Sequence, residues 1–452
     1  MRVCVRPHVF SDTIRVPPSK SHTIRQLFIA SFAHGESIIA NPLDSMDTQS
    51  CVAACHSLGA TITERRVSDA PGKSKLISYV VQGNCGQIKP CSSSIHIDAG
   101  NSGTTLFFAM AAAGLGSTPV VLTGDDLLKR RSTAPLLEAL GGLGIHAESK
   151  YSNGCAPVVV QGPWKGGKIS LSCPTSQYLS AILLAAPLSP AGTYTEVSVP
   201  LLNERPYIEM TLACLNAQNI PWQGELNDVC PHFSIPGGGA YQPFSTSVPG
   251  DFSSAAFLAC AAAVTGGPVT LLGLAPNDYQ GDKYFLEILV RMGCSVRWEQ
   301  IAGSASEYTL TISRQGTLNG GTFDLNAVPD LLPAAAIAAA FAKGDTALVN
   351  IAHTRIKETD RITVMAEELA KLGIRCTELP DSLIVHGGGL HGVSGGSIDS
   401  RGDHRIAMAF AAAALAAQAP VEIDSAECTA ISFPGFWEIV EGEAVGLNSV
   451  LS

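Results

Sequence analysis

Positive charge is scarce in this chain and is gathered at a few places. Lys20 stands with Arg25, Lys129 with Arg130 and Arg131, Arg355 with Lys357 and Arg361, and His404 with Arg405, each group in a loop or at the start of an expected helix. Arginine suits planar, bidentate recognition of phosphate or carboxylate, and lysine supplies a point charge. Such clusters point to a small, multiply anionic ligand. Carboxylates are interleaved with them: Glu358 follows Lys357, Asp360 precedes Arg361, and Asp330 opens a helix one repeat earlier. Carboxylates among cations keep depressed pKa values unless buried, and a pair in unlike surroundings can divide the acid and base roles. A Walker A sequence is absent, GxGxxG and GxSxG occur only by overlap within the glycine-rich run 387–396, away from the charged clusters, and no cysteine lies in a basic cluster. A nucleophile elbow and nucleotide-dependent chemistry therefore have no support. His22, His353 and His404 stand apart from any Cys or Asp set with ligand spacing, so they read as hydrogen-bonding or capping groups and no metal is expected.

The whole-chain balance sharpens this reading. Across 452 residues, 29 Lys and Arg against 39 Asp and Glu give a formal net charge of −10. That disfavours a general nucleic-acid or anionic-membrane binder and makes local cationic clusters more meaningful. Thirteen cysteines, an odd number without CxxC spacing, lie mostly in apolar runs. They read as small core residues in a reducing cytoplasm, Cys51 and Cys55 included. The N-terminus MRVCVRPHVFSD has neither a signal-peptide core nor a transit extension. The longest apolar runs, such as 406–417, fall short of the ~18 residues needed to span a bilayer. A cytoplasmic, soluble protein is expected.

These clusters are positioned by a repeat. A small polar or ionisable cluster opens an Ala-rich helix, followed by a Gly or Pro turn and a β-branched run, six times over. The openings are Lys20-Ser21, Ser102-Gly103-Thr104, Thr175-Ser176-Gln177, Asp251 with Ser253-Ser254, Asp330, and Asp403-His404-Arg405, spaced by 82, 73, 76, 79 and 73 residues. The strand-like segments that follow are ESIIA, TPVVLTG, TYTEVSV, PVTLLG, TALVNI and PVEID. Five copies then show a second, amphipathic helix that stops at Gly59, Gly144, Asn219, Gly293 or Gly373. The sixth is cut short after Trp437, and the N-terminal run RVCVRPHV is expected to supply its missing strand, so that the first and last segments share a domain. Helices rich in Ala on nearly every face are expected to be buried all round. Their N-termini carry unpaired N–H groups and partial positive charge, an arrangement that binds anions where such ends converge.

The ordered motifs PPSKSHTIR, AGNSGTT, LTGDDLLKRR, TSQYLSAILLAAP, RPYIEMT, PGDFSSAAF, RIKETDRI, GDHRIAMA and CTAISFPGF span almost the whole chain. In kind and order they resemble the 5-enolpyruvylshikimate-3-phosphate synthase branch of the enolpyruvyl transferases. The sister branch, acting on UDP-N-acetylglucosamine, carries Lys-Asn at its first motif and a Cys in the loop matching 123–131. Here Lys20 is followed by Ser21, and that loop has no Cys. The resemblance implies an α/β fold, a two-domain inside-out α/β barrel built from six βαβαββ repeats. Domain I would comprise 1–19 and 249–452 and domain II 20–248, with the active site in the interdomain cleft.

It also implies an activity: transfer of the enolpyruvyl (carboxyvinyl) group of phosphoenolpyruvate to the 5-hydroxyl of shikimate 3-phosphate, with release of phosphate, by a monomer needing no metal or organic cofactor. The residues matching the family's phosphoenolpyruvate contacts are Lys20, Arg131, Gln177, Arg361 and Arg405. Those matching its acceptor contacts are Ser21, Arg25, Thr175, Ser176, Tyr207, Asp330, His353 and Lys357. In the implied mechanism Asp330 takes the proton of the attacking hydroxyl, and Glu358 with Lys20 protonates the methylene carbon. Three positions depart from the pattern: Phe107 and Glu204 stand where the family has Arg and Ser, and Ile431 where it has Lys. They leave open a divergent transferase using another acceptor alcohol, with Arg130 and Arg205 as compensating charges on the first reading. A non-catalytic binding protein is a third reading, disfavoured by the retained acid and base.

Overall fold

A computed structural model of the chain describes residues 1–70, 73–88, 93–304 and 307–441. Among these residues the repeat emerges as six Ala-rich helices, Lys20–Phe32, Gly103–Ala113, Gln177–Ala185, Phe252–Thr265, Leu332–Ala340 and His404–Ala416. Each is buried on nearly every face. Alanine favours the helix because it loses no side-chain entropy, and its small volume lets neighbouring helices approach closely.

The chain divides into two compact units, Met1–Pro17 with Gly250 onward, and Pro18–Pro249. In the first, the helices Phe252–Thr265, Leu332–Ala340 and His404–Ala416 pack on one another. In the second, Gly103–Ala113 packs against both Lys20–Phe32 and Gln177–Ala185. Each unit has its own apolar core, made from these helices and the inner faces of three sheets. In each unit helices lie inside and sheets outside, the inside-out α/β arrangement that the sequence resemblance implies.

Among the described residues, five of the six sheets share one four-strand order, and the sixth, with three strands, keeps the first three places of it. In the second copy Ile95–Asp98 runs parallel to Val120–Thr123, which pairs antiparallel with Val158–Gln161, and that strand with His146–Ser149. Alternating burial along Val120–Thr123 and Val158–Gln161 turns one face of each to the core. Three strands complete sheets from distant stretches of chain. Arg2–Val5 pairs antiparallel with Val421–Asp424, which supplies the sixth copy's missing strand from the N-terminus as the sequence predicts. Thr13–Arg15 adds in parallel to Val269–Leu272, and Ser245–Ser247 to Glu36–Ala40. The predicted stop signals hold as well: Gly59, Gly144, Asn219, Gly293 and Gly373 all have positive φ. Asn219 is the one with a side chain, and asparagine tolerates the left-handed region better than most residues. Among the described residues no helix is long and apolar enough to cross a membrane.

Candidate active site

The helix starts carry the charges, yet they are not bare anion sites. Ser19, Ser102, Asp251 and Asp403 each cap their own helix, accepting from the backbone N–H of His22, Thr105, Ser254 and Arg405. Capping and charge coexist there because the cap uses one N–H and leaves the first-turn side chains to point elsewhere.

In the first unit the candidates converge on Arg361. Its guanidinium is fully buried and gripped by three carboxylates. Nη1 donates to Asp330 Oδ1 at 2.8 Å, Nη2 to Glu358 Oε2 at 2.6 Å, and Nε to Asp403 Oδ2 at 2.8 Å. Arg405 Nη2 lies 2.8 Å from the other oxygen of Asp330. Asp403 also accepts from Thr359 Oγ1 at 3.1 Å. The two residues expected to act as base and acid thus sit on one rigid fork. Burial alone would raise the pKa of Asp330, but the charges of Arg405, Lys357 and Arg361 outweigh it and hold the carboxyl far below the usual range. The converse holds for Asp282, which is buried and accepts from Ser253 Oγ. Burial first, then the charge of Asp330, push it up to about 7 against the pull of Arg405.

That shift carries a stability signature. A carboxyl whose folded pKa lies above its unfolded value stabilises fully below the unfolded pKa, and the contribution is lost as pH rises through the folded one. Asp282→Asn is therefore expected to match the wild type in Tm near pH 4 and to exceed it at pH 8 by on the order of 10 °C. Differential scanning calorimetry across that range checks this. Equal Tm values at both pH values would remove Asp282 as a titrating group.

In the second unit, Lys20 opens the helix Lys20–Phe32 and its Nζ lies 2.9 Å from Asp47 Oδ2 in the first turn of Met46–Ser57. Gln177 Nε2 donates to Thr104 Oγ1 at 3.1 Å. Gln177 and Arg131 both lie against Gly103: a Cβ there would stand 2.9 Å from Arg131 Nη1 and 3.0 Å from Gln177 Oε1. The TGDD turn delivers Arg131. Asp125 accepts from the backbone N–H of Leu128 at 2.8 Å and from Asn101 Nδ2 at 2.7 Å, which fixes the loop after Val120–Thr123. Lys129 and Arg130 of the same cluster do not share this position, and Arg130 is exposed.

Several expected ligand contacts are engaged inside the protein. Arg361 has no exposed surface, so it organises carboxylates rather than presenting a guanidinium to a ligand. Arg25 is also buried, and burial pushes its pKa down. It donates to Thr211 Oγ1 at 3.0 Å, to the carbonyls of Ser21 and Tyr207 at 3.1 and 3.0 Å, and to Ser180 Oγ at 3.4 Å, and stands 5.6 Å from the Phe108 ring centroid. The hydroxyls of Thr175 and Ser176 are held by Glu204. His353 is buried, and Lys357 and Tyr207 are half-buried.

The departures also have structural reasons. Phe107 is buried edge-on against Tyr178, with ring centroids 4.8 Å apart. Ile431 is buried in the core of the first unit. Arg205 does not compensate for Glu204, since it donates to the carbonyls of Leu226 and Asp228. Sequence reasoning missed Asp47, Asp282 and the anchoring part played by Asp403. Only Asp403 carried a signal, its place in the GDHR opening.

A family model described as EPSP synthase (3-phosphoshikimate 1-carboxyvinyltransferase) matches residues 6–440. A 3-phosphoshikimate 1-carboxyvinyltransferase of Acetivibrio thermocellus is 43% identical over 436 residues, covering 96% of either chain. One from Halorubrum lacusprofundi is 40% identical, over 97% of this chain and 96% of that protein. Among solved structures, an EPSP synthase from Acinetobacter baumannii superposes with a TM-score of 0.79 at 29% identity, over 97% of both chains.

Proposed function

The chain belongs to the EPSP synthase (3-phosphoshikimate 1-carboxyvinyltransferase) family, and from this we propose how its residues divide the work of moving the enolpyruvyl group of phosphoenolpyruvate to the 5-hydroxyl of shikimate 3-phosphate. The observation that carries the assignment is the bridging of Asp330 and Glu358 by one buried guanidinium, at 2.8 and 2.6 Å. A base and an acid fixed on one fork suit an addition in which one proton leaves an oxygen while another reaches a carbon.

Asp330 takes the proton of the 5-hydroxyl as its oxygen bonds to C2 of phosphoenolpyruvate. Glu358, with Lys20, delivers a proton to C3, turning the methylene into a methyl and leaving a tetrahedral ketal. Glu358 then takes back a methyl proton to re-form the double bond as the C2–O bond to phosphate breaks, and the proton held by Asp330 leaves with the phosphate. Lys20, Arg131, Gln177 and Arg405 bind phosphoenolpyruvate. Ser21, Thr175, Ser176, Tyr207, His353 and Lys357 receive the acceptor. Arg361 and Arg25 serve by positioning. Asp330 is a weak base while three cations hold its pKa down. Anionic substrate at Arg405 and Lys357 screens those cations and raises its basicity when the reactants are in place.

One chain carries every residue given a role here, and on this reading the transferase works as a monomer. Polarisation and positioning carry the reaction, without a cofactor. The odd number of cysteines, with no disulfide among the described residues, supports a reducing, cytoplasmic setting.

Protonation at carbon is open to direct test. In D2O, with both substrates, mass spectrometry is expected to find deuterium in the vinyl methylene of the product and of recovered phosphoenolpyruvate. Product free of deuterium throughout the reaction contradicts the ketal route. A second test uses the tight packing on Gly103. Gly103→Ala is expected to push Arg131 and Gln177 aside and to raise KM for phosphoenolpyruvate roughly tenfold, the worth of one charge-assisted hydrogen bond. An unchanged KM separates these two residues from that substrate.

A further inference from the structure

Glu204 precedes the helix Arg205–Ala217 and adopts the left-handed conformation, φ 59° and ψ 41°. That conformation is costly for a side chain of this kind, and such strain persists where surrounding contacts enforce it. Here the contacts converge on one atom. Glu204 Oε2 accepts from Thr175 Oγ1 at 3.1 Å, from the backbone N–H of Ser176 at 2.9 Å and from Ser176 Oγ at 2.8 Å. The side chain is buried, with 2% of its surface exposed. Ser176 occupies the N-cap position of Gln177–Ala185 but makes no side-chain cap bond to its own helix. Its hydroxyl and its N–H both go to the glutamate instead. Two hydroxyls and a backbone N–H converging at a helix start form a set of donors suited to an anionic oxygen.

We propose that Glu204 is an internal stand-in for the acceptor's phosphate: its carboxylate occupies the Thr175 and Ser176 donors in the empty enzyme, and the phosphate of shikimate 3-phosphate binds there only by displacing it. The proposal rests on the reading of Thr175 and Ser176 as acceptor contacts. Two anionic oxygens cannot share these donors without repulsion, so the carboxylate competes with each phosphorylated acceptor and is indifferent to an acceptor that brings no phosphate. Glu204 is thereby a specificity-determining residue that lowers the advantage of a phosphorylated acceptor over its unphosphorylated counterpart. The two hydroxyls stay hydrogen-bonded in both states.

The test compares wild type, Glu204→Ser and Glu204→Gln, with shikimate 3-phosphate and shikimate as alternative acceptors. Glu204→Ser vacates the donors, and Glu204→Gln keeps the shape with a neutral, weaker acceptor, so that one variant guards against misfolding in the other. The expected result is a fall in KM for shikimate 3-phosphate of about tenfold in the serine variant and less in the glutamine variant. Neither variant is expected to shift KM for shikimate, and kcat should change less than KM. Titration calorimetry with shikimate 3-phosphate reads the same effect without turnover, as tighter binding in both variants. Equal or weaker binding of shikimate 3-phosphate in variants that keep the wild-type Tm overturns the proposal. Tighter binding in the variants, with no turnover by any of the three proteins, supports the proposal and counts against the transferase reading alone.

Discussion

Asp330→Asn is expected to lower kcat for phosphate release about a thousandfold, within the range that a positioned general base contributes. The amide keeps the size of the side chain and can still accept from Arg361 Nη1, which in the wild type donates to Asp330 Oδ1 at 2.8 Å. What it loses is the capacity to take a proton. The fall should therefore be in kcat, with a smaller change in the KM of either substrate. Burial works against ionisation of Asp330, but Arg405, Lys357 and Arg361 prevail and keep it ionised far below neutrality. The acidic limb of the pH–rate profile of the free enzyme consequently belongs to other groups, and Asp330→Asn should scale the profile down without moving that limb. Steady-state phosphate release between pH 5 and 9 reads both features. Activity within about tenfold of wild type would exclude Asp330 as the base.

Arg361→Met is expected to be the most destabilising single change in the site. The guanidinium has no exposed surface and pairs with Asp330, Glu358 and Asp403. Removing it leaves buried carboxylates facing one another without their common counter-charge. Breaking a buried pair in this way costs about 3–5 kcal/mol, which corresponds to a fall in Tm on the order of 10 °C in units of this size. Arg361→Lys restores one charge but cannot present three separate N–H directions to three carboxylates. It should recover part of the stability while leaving kcat low, because Asp330 and Glu358 are no longer held at a fixed separation. Thermal melts followed by circular dichroism, beside kcat for both variants, separate the two effects. A lysine variant with full activity would show that the charge matters and the fork does not.

Much of this architecture is legible in the sequence because it rests on local chemistry repeated six times. Alanine-rich helices, left-handed stops at residues such as Gly293 and Asn219, and β-branched strands are each specified within a few residues. Their recurrence identifies the units, and even the strand Arg2–Val5 follows from the incomplete sixth copy. The charged helix starts are legible for the same reason. What cannot be read is which side chain satisfies which. Asp47 meets Lys20 from 27 positions away, and Glu204 reaches Ser176 from 28. Nothing in SMDTQS or NERPY announces either partner. Arg361 and Arg25 read as ligand contacts because they match the family's contact positions, yet both are buried and engaged by neighbouring protein groups. Phe107 and Ile431 read as lost charges, whereas their burial shows apolar side chains packed into the two cores.

One assay bears on the whole account: phosphate released by the wild-type enzyme from phosphoenolpyruvate alone, from phosphoenolpyruvate with shikimate 3-phosphate, and from the same pair with Asp330→Asn. Sustained release in the second mixture only, matched mole for mole by the carboxyvinyl ether of shikimate 3-phosphate, is the predicted result. Release at the same rate without the acceptor, or none from either wild-type mixture, would contradict it.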